Sequence, residues 1–353
     1  MAPHLPPPEL PDDAVAEILL RLPPDEPGCF FRASLVCKLW QRLLTDAAFL
    51  RRYRRFHRTP PLLGFFYTYV FRGRIIPFFT PTTPASPFPQ PMLDCRPWFP
   101  LDCRHGRGDL TVWDPVTGAR EKFCEPDVPS GPFSVAVLCA AAGCDHRDCQ
   151  GGPFLVVWAS TCSNRLAHVC VYSSQVGSWS TSASVRVGVA DLLSLNRPAH
   201  VGDAIYFMLK NQMGARILKY DLVKHHLSVI EPPESCGKCI FIVPIEDGSL
   251  GVAGVRDSGG VEGWKRYRVI ELRTLLPADS LLEKPVAPMA VAFAEGVRVI
   301  FVDTVVGVFA IDLSSEKARK VCGPGMQYPM IPFMSFYTPD CACGKSPLPV
   351  DTN

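Results

Sequence analysis

The sequence predicts an α+β multidomain protein with two unequal parts, a short helical module followed by a much longer all-β region. Apolar residues recur at helical spacing over residues 9–58, whereas from about residue 62 short apolar runs alternate with Gly, Pro, Asp and Ser turns. Proline contributes 36 of the 353 residues, about twice its usual share of roughly 5%. Because proline interrupts helices, this density argues against a helical fold for most of the chain.

The helical module is predicted to contain three helices. Apolar residues at i, i+3, i+4 and i+7 define the first, and these are Val15, Ile18, Leu19 and Leu22. Asp12 and Asp13 are expected to cap this helix and to place favourable negative charge at its start. A second apolar stripe predicts a helix over residues 35–44, and Thr45 or Asp46 can cap a third.

An internal repeat indicates how the β region is arranged. An apolar strand ends in an acidic or small residue and a turn, and successive copies lie 41 to 59 residues apart. The copies begin at Trp113, Tyr172, Tyr220, Ile270 and Ile311. This spacing is close to the roughly 40–50 residues of a four-stranded propeller blade. We therefore predict a kelch-like β-propeller of about six blades over residues 59–340, closed by pairing its last strands with its first.

Individual strands are predicted from short runs rich in β-branched and aromatic residues. The runs are Leu62–Phe71, Leu110–Trp113, Val135–Leu138, Phe154–Trp158, His168–Tyr172, Ala204–Leu209, Arg216–Tyr220, Ile240–Val243, Leu250–Val255, Tyr267–Leu272, Arg298–Val302, Val308–Ile311 and Phe333–Tyr337. Residues 77–100 hold eight prolines and are expected to form an irregular loop. Residues 1–8 and 341–353 are expected to be tails.

Charge and cysteine content limit the classes of function. Lys and Arg total 36 against 34 Asp and Glu, which argues against general nucleic-acid binding because that function needs an excess of basic residues. No apolar stretch reaches the about 20 residues of a membrane span, and the N-terminus lacks the pattern of a signal peptide. Fifteen cysteines, an odd number, suit free thiols in a reducing compartment. We expect an intracellular protein, cytoplasmic or nuclear, without nucleic-acid or membrane partners.

Three segments of the helical module resemble an F-box of the plant type. They are Leu10-Pro11-Asp12-Asp13, Ile18-Leu19-Leu20-Arg21-Leu22-Pro23 and Val36-Cys37-Lys38-Leu39-Trp40. The β region is similar to the F-box-associated domain of large grass families, in phrases such as Trp113-Asp114-Pro115-Val116-Thr117-Gly118. The resemblance covers residues 9 to about 50 closely and most of the remainder more loosely.

The resemblance implies a substrate-recognition subunit of an SCF-type (Skp–cullin–F-box) ubiquitin ligase. The F-box would dock on a Skp-type adaptor, and through it on a cullin–RING ligase, while the propeller would hold an unknown target protein. Such a subunit is not itself an enzyme, and no cofactor is expected. An F-box scaffold or decoy that acts without ubiquitination is the alternative.

The helical module carries more large apolar residues than one small core requires, so part of its surface is predicted to bind a partner. The candidates for this shared core and adaptor interface are Leu10, Pro11, Val15, Ile18, Leu19, Leu22, Leu35, Val36, Cys37, Trp40 and Leu43. Family members usually carry one or more leucines or valines in the link after Pro23-Pro24, which here reads Asp25-Glu26-Pro27-Gly28-Cys29-Phe30-Phe31 and contains the pair Pro27-Gly28. We expect this pair to delay the second helix and to weaken adaptor binding.

The basic run over residues 51–58 is predicted to form a helix with one packed face. Tyr53 and Phe56 keep helical spacing with Phe49, so the arginines would point to solvent. A nuclear-import signal is the alternative reading of this run.

A search for catalytic and metal-binding patterns gives two weaker hypotheses. One cluster could supply four zinc ligands, although a flexible loop at a blade edge is the favoured interpretation. Its members are Cys139, Cys144, His146 and Cys149. A propeller enzyme active on sugars would need carboxylates that converge at the channel mouth, but the available ones suit turn formation equally well. These are Asp114, Asp221, Glu271 and Asp312.

Overall fold

A computed structural model describes most of the helical module and much of the β region. The described residues are 10–71, 74–82, 109–113, 120–129, 131–142, 144, 152–194, 198–211, 214–231, 240–244, 250–254, 265–266, 275–281, 288–294, 296–324 and 326–336. The predicted tails, Glu271 and the predicted strand Tyr267–Leu272 lie outside these ranges.

The helical module contains four helices, so the prediction of three was wrong. They are α1 (Asp12–Leu19), α2 (Pro27–Ser34), α3 (Lys38–Thr45) and α4 (Ala47–His57). The unpredicted helix is α2, whose Pro-Gly start resembles a turn in sequence. Pro27 does not delay this helix but begins it, because the first helical position needs no N–H donor. The extended backbone of Cys37 then separates α2 from α3.

The helix ends show which predicted caps exist. The Asp46 carboxylate accepts a hydrogen bond from the backbone N–H of Phe49 at 2.8 Å and caps α4, as predicted. At α1 the cap prediction was wrong, because the cap position is Pro11 and makes no side-chain hydrogen bond. Asp12 and Asp13 lie instead in the first turn, where their negative charges interact favourably with the positive end of the helix dipole.

One apolar core joins all four helices. Its buried members are Val15, Leu19, Leu20, Phe30, Ala33, Leu44, Phe49, Leu50, Tyr53 and Phe336. The Tyr53 hydroxyl donates to the Leu22 carbonyl at 2.8 Å, and His57 Nε2 lies 2.8 Å from the Leu20 carbonyl oxygen. These contacts attach α4 to the end of α1. Burial raises the pKa of the Tyr53 phenol above its usual value.

The β region is built from short, mostly antiparallel strands. In chain order they are β1 Leu62–Phe71, β2 Arg74–Pro81, β3 Asp109–Trp113, β4 Arg120–Cys124, β5 Phe133–Cys139, β6 Phe154–Thr161, β7 Leu166–Ser173, β8 Ser178–Trp179, β9 Ala183–Arg186, β10 Leu192–Leu193, β11 Ala199–Val201, β12 Ala204–Asn211, β13 Gly214–Asp221, β14 His226–Ile230, β15 Ile240–Pro244, β16 Leu250–Gly254, β17 Lys265–Arg266, β18 Met289–Ala294, β19 Val299–Thr304, β20 Gly307–Asp312, β21 Lys317–Cys322 and β22 Met326–Met334.

The sheets form a propeller-like arrangement. Four of them are wholly antiparallel and have three to five strands, which makes them blade-like units. Their strand orders are β2-β1-β22, β5-β6-β7-β8 with β9 beside β7, β10-β12-β13-β14 with β11 beside β12, and β18-β19-β20-β21. The other strands described form the pair β3-β4 and the sheet β15-β16-β17, which contains a parallel pair. Four blades are thus present in the described part of the β region, and the number six stays a prediction.

Neighbouring sheets pack through shared apolar clusters. Val157 and Val169 of one blade pack with Phe207 and Leu218 of the next. The β1 sheet and the β18–β21 sheet share a second cluster, in which Phe65 and Phe301 have ring centroids 5.5 Å apart. Sheets stacked face to face in this way bury both of their faces, which is the basis of propeller stability.

The predicted pairing of the last strand with the first is present, because β22 pairs antiparallel with β1. The closing strand ends at Met334 and was predicted to lie further along the chain, at Phe333–Tyr337.

The prediction of an irregular loop over residues 77–100 was wrong at its start, since residues 77–81 belong to β2. This strand lies at the edge of its sheet, where a proline need not donate a hydrogen bond.

The sequence repeat corresponds to a recurring hairpin. Strands β7, β13 and β20 end at Ser173, Asp221 and Asp312, and the fourth residue after each has a positive φ. These three residues are Gly177, His225 and Glu316, with φ of 70°, 50° and 55°. A left-handed residue at a fixed place in the turn aligns the outer strand with its neighbour. The first predicted copy has its turn outside the described residues.

Gly177→Ala should lower the free energy of unfolding by about 1 kcal/mol. Open space surrounds the position where a Cβ would lie, so the cost comes from the left-handed φ alone. The measurement is urea unfolding followed by tryptophan fluorescence. Val176→Ala, one residue earlier and 74% exposed, is the matched control and should change little. Equal stability of the two variants would contradict the assignment of the turn.

Candidate functional site

Exposed large apolar side chains are concentrated in the helical module. Of eleven such side chains among the described residues, six lie between residues 10 and 56. They are Leu10, Ile18, Phe31, Leu35, Val36 and Phe56. The module makes up a small part of the described chain, so this share marks its surface as unusually apolar. An apolar surface of this kind is typical of a protein-binding site.

The eleven predicted interface residues divide into three groups by burial. Leu10, Pro11, Ile18, Leu35, Val36 and Cys37 are exposed. Leu22, Trp40 and Leu43 are half-buried and pack against the module core, whereas Val15 and Leu19 lie within it. The exposed group belongs to two segments, namely α1 with the two residues before it and the link between α2 and α3. We call these six residues the apolar docking set.

Backbone hydrogen bonds hold the link between α2 and α3 in place. The Leu35 N–H donates to the Arg32 carbonyl at 3.1 Å, and the Val36 N–H donates to the Ala33 carbonyl at 3.2 Å. Although the backbone is fixed, the side chains of Leu35 and Val36 are 68% and 61% exposed. These two apolar side chains are therefore presented to solvent on an ordered support, which lowers the entropic cost of binding a partner.

Phe31 is exposed and was not among the predicted interface residues. It follows Phe30, which is 2% exposed and lies edge-to-face with Tyr53 at a centroid distance of 4.8 Å. Adjacent residues on a helix point about 100° apart, so one of two neighbouring phenylalanines must leave the core. The Phe-Phe pair is thus the sequence signal that could have revealed this residue.

Charged side chains lie on the same helical module as the apolar docking set. Glu17 on α1 forms an ion pair with Arg52 of α4 and lies near Arg21 one turn later. The Cys29 thiol donates to the Glu26 carboxylate at 3.1 Å, and this hydrogen bond is the main cause that raises the pKa of Cys29. Because they are exposed, the two ion pairs of Glu17 contribute little to stability.

The basic helix α4 differs from its prediction at two residues. Phe49 and Tyr53 pack inward as predicted, but Phe56 is 53% exposed and does not continue the packed face. Arg54 is buried, whereas the other arginines of residues 51–55 point to solvent. The helix turns about 100° per residue, so Arg54 falls beside Tyr53 and Leu50 on the inner side.

The alternative chemical sites receive little support. Asp221 and Asp312 each accept two hydrogen bonds from backbone N–H groups of their own turns. At Asp221 the hydrogen bond from the Lys224 backbone N–H is the main cause of a lowered pKa. At Asp312 burial tends to raise the pKa, but the hydrogen bonds from the turn amides outweigh burial and lower it. Turn formation is thus confirmed for these two carboxylates. Asp114, His146 and Cys149 lie outside the described residues, which contain no group of three potential metal ligands.

Comparison with known families identifies the helical module. Residues 8–52 match the family model of the F-box domain, a range that contains α1 to α3 and the start of α4. No curated protein matches the chain. In the part of the chain that the structure describes, no helix is long and apolar enough to cross a membrane. The chain therefore carries an N-terminal F-box domain, followed by a propeller-like β region.

Proposed function

We propose that this chain is a substrate-recognition subunit of an SCF-type ubiquitin ligase. Its F-box would dock on a Skp-type adaptor, which connects it to a cullin–RING ligase, and its β region would bind the protein to be modified. F-box domains typically bind such adaptors, and F-box proteins are generally receptors and not catalysts. The chain would act inside the cell, in the cytoplasm, the nucleus or both.

The observation that supports adaptor binding best is the apolar docking set on the F-box domain. Fully burying a large apolar side chain contributes on the order of 1.5–3 kcal/mol. Leu10, Ile18, Leu35 and Val36 are between 48% and 68% exposed and are available to a partner without any change in the module core. The half-buried Trp40 and Leu43 would lie at the inner edge of this interface.

The propeller-like region is the proposed target-binding domain. Its sheets are rigid supports for many loops, and binding residues are often found on loops held by such scaffolds. We propose domain limits of 9–58 for the F-box and 59–340 for a kelch-like propeller of six blades. Membership of the plant F-box family with a grass-type associated domain belongs to the same proposal.

Affinity purification from cells with mass spectrometry tests this function directly. The full chain should capture a Skp-type adaptor, a cullin and a set of target proteins. A chain with Ile18→Asp and Val36→Asp should lose the adaptor and cullin but keep the targets, since both changes lie outside the β region. Equal adaptor recovery with both chains would contradict adaptor docking at this surface.

The lifetime of the captured targets separates a ligase receptor from a scaffold or decoy. If the chain directs ubiquitination, depleting it should lengthen the half-lives of its targets. Unchanged half-lives, together with normal adaptor binding, would favour the scaffold or decoy. The measurement is a translation-block chase in cells with and without the chain.

A further inference from the structure

The last described residue, Phe336, belongs to the core of the F-box domain and not to the β region that precedes it. Its side chain is 2% exposed and lies among the buried apolar residues of the four helices. Its ring meets that of Tyr53 edge-to-face, with a centroid distance of 6.1 Å and an interplanar angle of 79°. The helical core is therefore completed by a residue from the far end of the chain.

The strand before Phe336 fixes this aromatic residue in place. Strand β22 pairs with β1, so that Met334 lies opposite Leu62. The Ser335 N–H then donates to the Pro61 carbonyl at 3.2 Å, which extends the pairing to the residue that joins the helices to β1. One short segment thus closes the β ring and enters the helical core.

Close packing beside this segment leaves little freedom for the two domains to separate. A Cβ added at Gly296, in the turn between β18 and β19, would lie 2.7 Å from both Thr59 Cγ2 and Met334 Cε. Real Cβ contacts are almost never this short, so a larger residue at position 296 would force the Met334 or Thr59 side chain to move where the turn, the F-box exit and β22 converge. The junction is packed like a protein core and not like a flexible linker.

We propose that residues 326–336 act as a latch that links the stability of the F-box domain to closure of the β ring. A helical unit of about fifty residues buries too little surface to be more than marginally stable alone. Strand β22 is synthesised after β1–β21, so Phe336 can enter the helical core only when the rest of the β region is present. The F-box would reach full stability, and full affinity for its adaptor, only in a chain whose β ring has closed.

Hydrogen exchange of the full chain, read by mass spectrometry, tests the latch without any partner. Phe336→Ala should accelerate exchange of the α2 and α4 amides at least tenfold, because Tyr53 loses a ring contact and the core that it shares with Phe30 loses a member, while β19 and β20 keep their protection. Phe336→Leu should keep most of the protection from exchange that Phe336→Ala removes. Unchanged exchange in α2 and α4 in the Phe336→Ala chain would overturn the proposal.

Phe207→Ala is the matched control, since Phe207 is 0% exposed and lies between two other sheets, in a cluster that contains no residue of 326–336. It should accelerate exchange in β12 and β13 far more than in α4. Equal acceleration throughout the chain in both alanine variants would show general destabilisation and would also overturn the latch. If Phe336→Ala prevents folding, the Phe336→Leu chain tests the latch instead. Its amide exchange should then be slightly faster than in the unchanged chain, in α2 and α4 only.

Adaptor binding provides a second readout, which rests on the proposed function. Phe336→Ala should lower the affinity for a Skp-type adaptor although Phe336 is buried and is not a member of the apolar docking set. If the unchanged chain binds no adaptor, the proposed function fails, while the exchange data still decide the latch. If the unchanged chain binds and the Phe336→Ala chain binds equally well, the link between latch and adaptor is contradicted.

Discussion

Replacing Ile18 and Val36 together by aspartate should lower the affinity for a Skp-type adaptor at least about a hundredfold, equivalent to about 2.7 kcal/mol. Each side chain would lose an apolar contribution on the order of 1.5–3 kcal/mol, and each new carboxylate would resist burial in the interface. In the free chain both side chains are exposed, by 48% and 61%, so the melting temperature should change little. Titration calorimetry with purified adaptor measures the effect.

The control for this prediction is Val176→Asp, which places the same charge on a side chain that is 74% exposed in the β7–β8 turn. Its adaptor affinity should equal that of the unchanged chain. Undiminished binding by the Ile18→Asp, Val36→Asp chain would mean that the adaptor contacts another surface. A large fall in melting temperature would show that the two residues support the fold and not the interface.

The division of the chain could be predicted from sequence because each part repeats one local pattern. Helical spacing in α1 and the turn after each blade strand are properties of neighbouring residues, and local patterns carry that information. The α4 cap, for example, was predicted to be Thr45 or Asp46, and it is Asp46, whose carboxylate needs only the N–H three residues later. Ile18 and Val36, which are exposed, were named as interface candidates because the module carries more large apolar residues than its core needs.

Features that depend on distant contacts could not be predicted in this way. Phe336 lies within the last predicted strand, Phe333–Tyr337, but nothing near it in sequence shows that its ring belongs with Tyr53. The helix α2 was missed because Pro27-Gly28 favours a turn locally, whereas burial of Phe30 and Ala33 in the module core stabilises a helix. Similarly, the prolines of β2 indicated a loop until pairing with β1 placed them at a sheet edge.

Burial also could not be assigned from the apolar stripe alone. Val15, Ile18 and Leu19 fit one helical stripe, yet Ile18 is exposed and the other two are buried. A stripe wider than the neighbouring helices can cover must leave some of its members in solvent. The exposed members of the stripe are informative because they are the residues that a partner would cover.

Tyr53→Ala should abolish adaptor binding although Tyr53 is 1% exposed and cannot contact the adaptor. Its ring lies 4.8 Å from that of Phe30 and 4.4 Å from the His57 ring, and its hydroxyl donates to the Leu22 carbonyl. Removing a buried aromatic side chain costs about 3–5 kcal/mol, which a small helical domain can hardly withstand. Far-ultraviolet circular dichroism should show loss of helix, and calorimetry should show no adaptor binding.

Tyr53→Phe is the matched variant that keeps the ring and removes only the hydroxyl. It should cost about 1–2 kcal/mol, because the Leu22 carbonyl loses its donor, and it should retain the helices and adaptor binding. Burial raises the pKa of Tyr53 above 10.0, its value when exposed, so the stabilisation by the neutral phenol is complete below pH 10 and is lost as the pH rises towards the folded-state pKa. The comparison at neutral pH therefore reports packing and the hydrogen bond alone. Full helix content and normal adaptor affinity in the Tyr53→Ala chain would contradict the central role assigned to this residue.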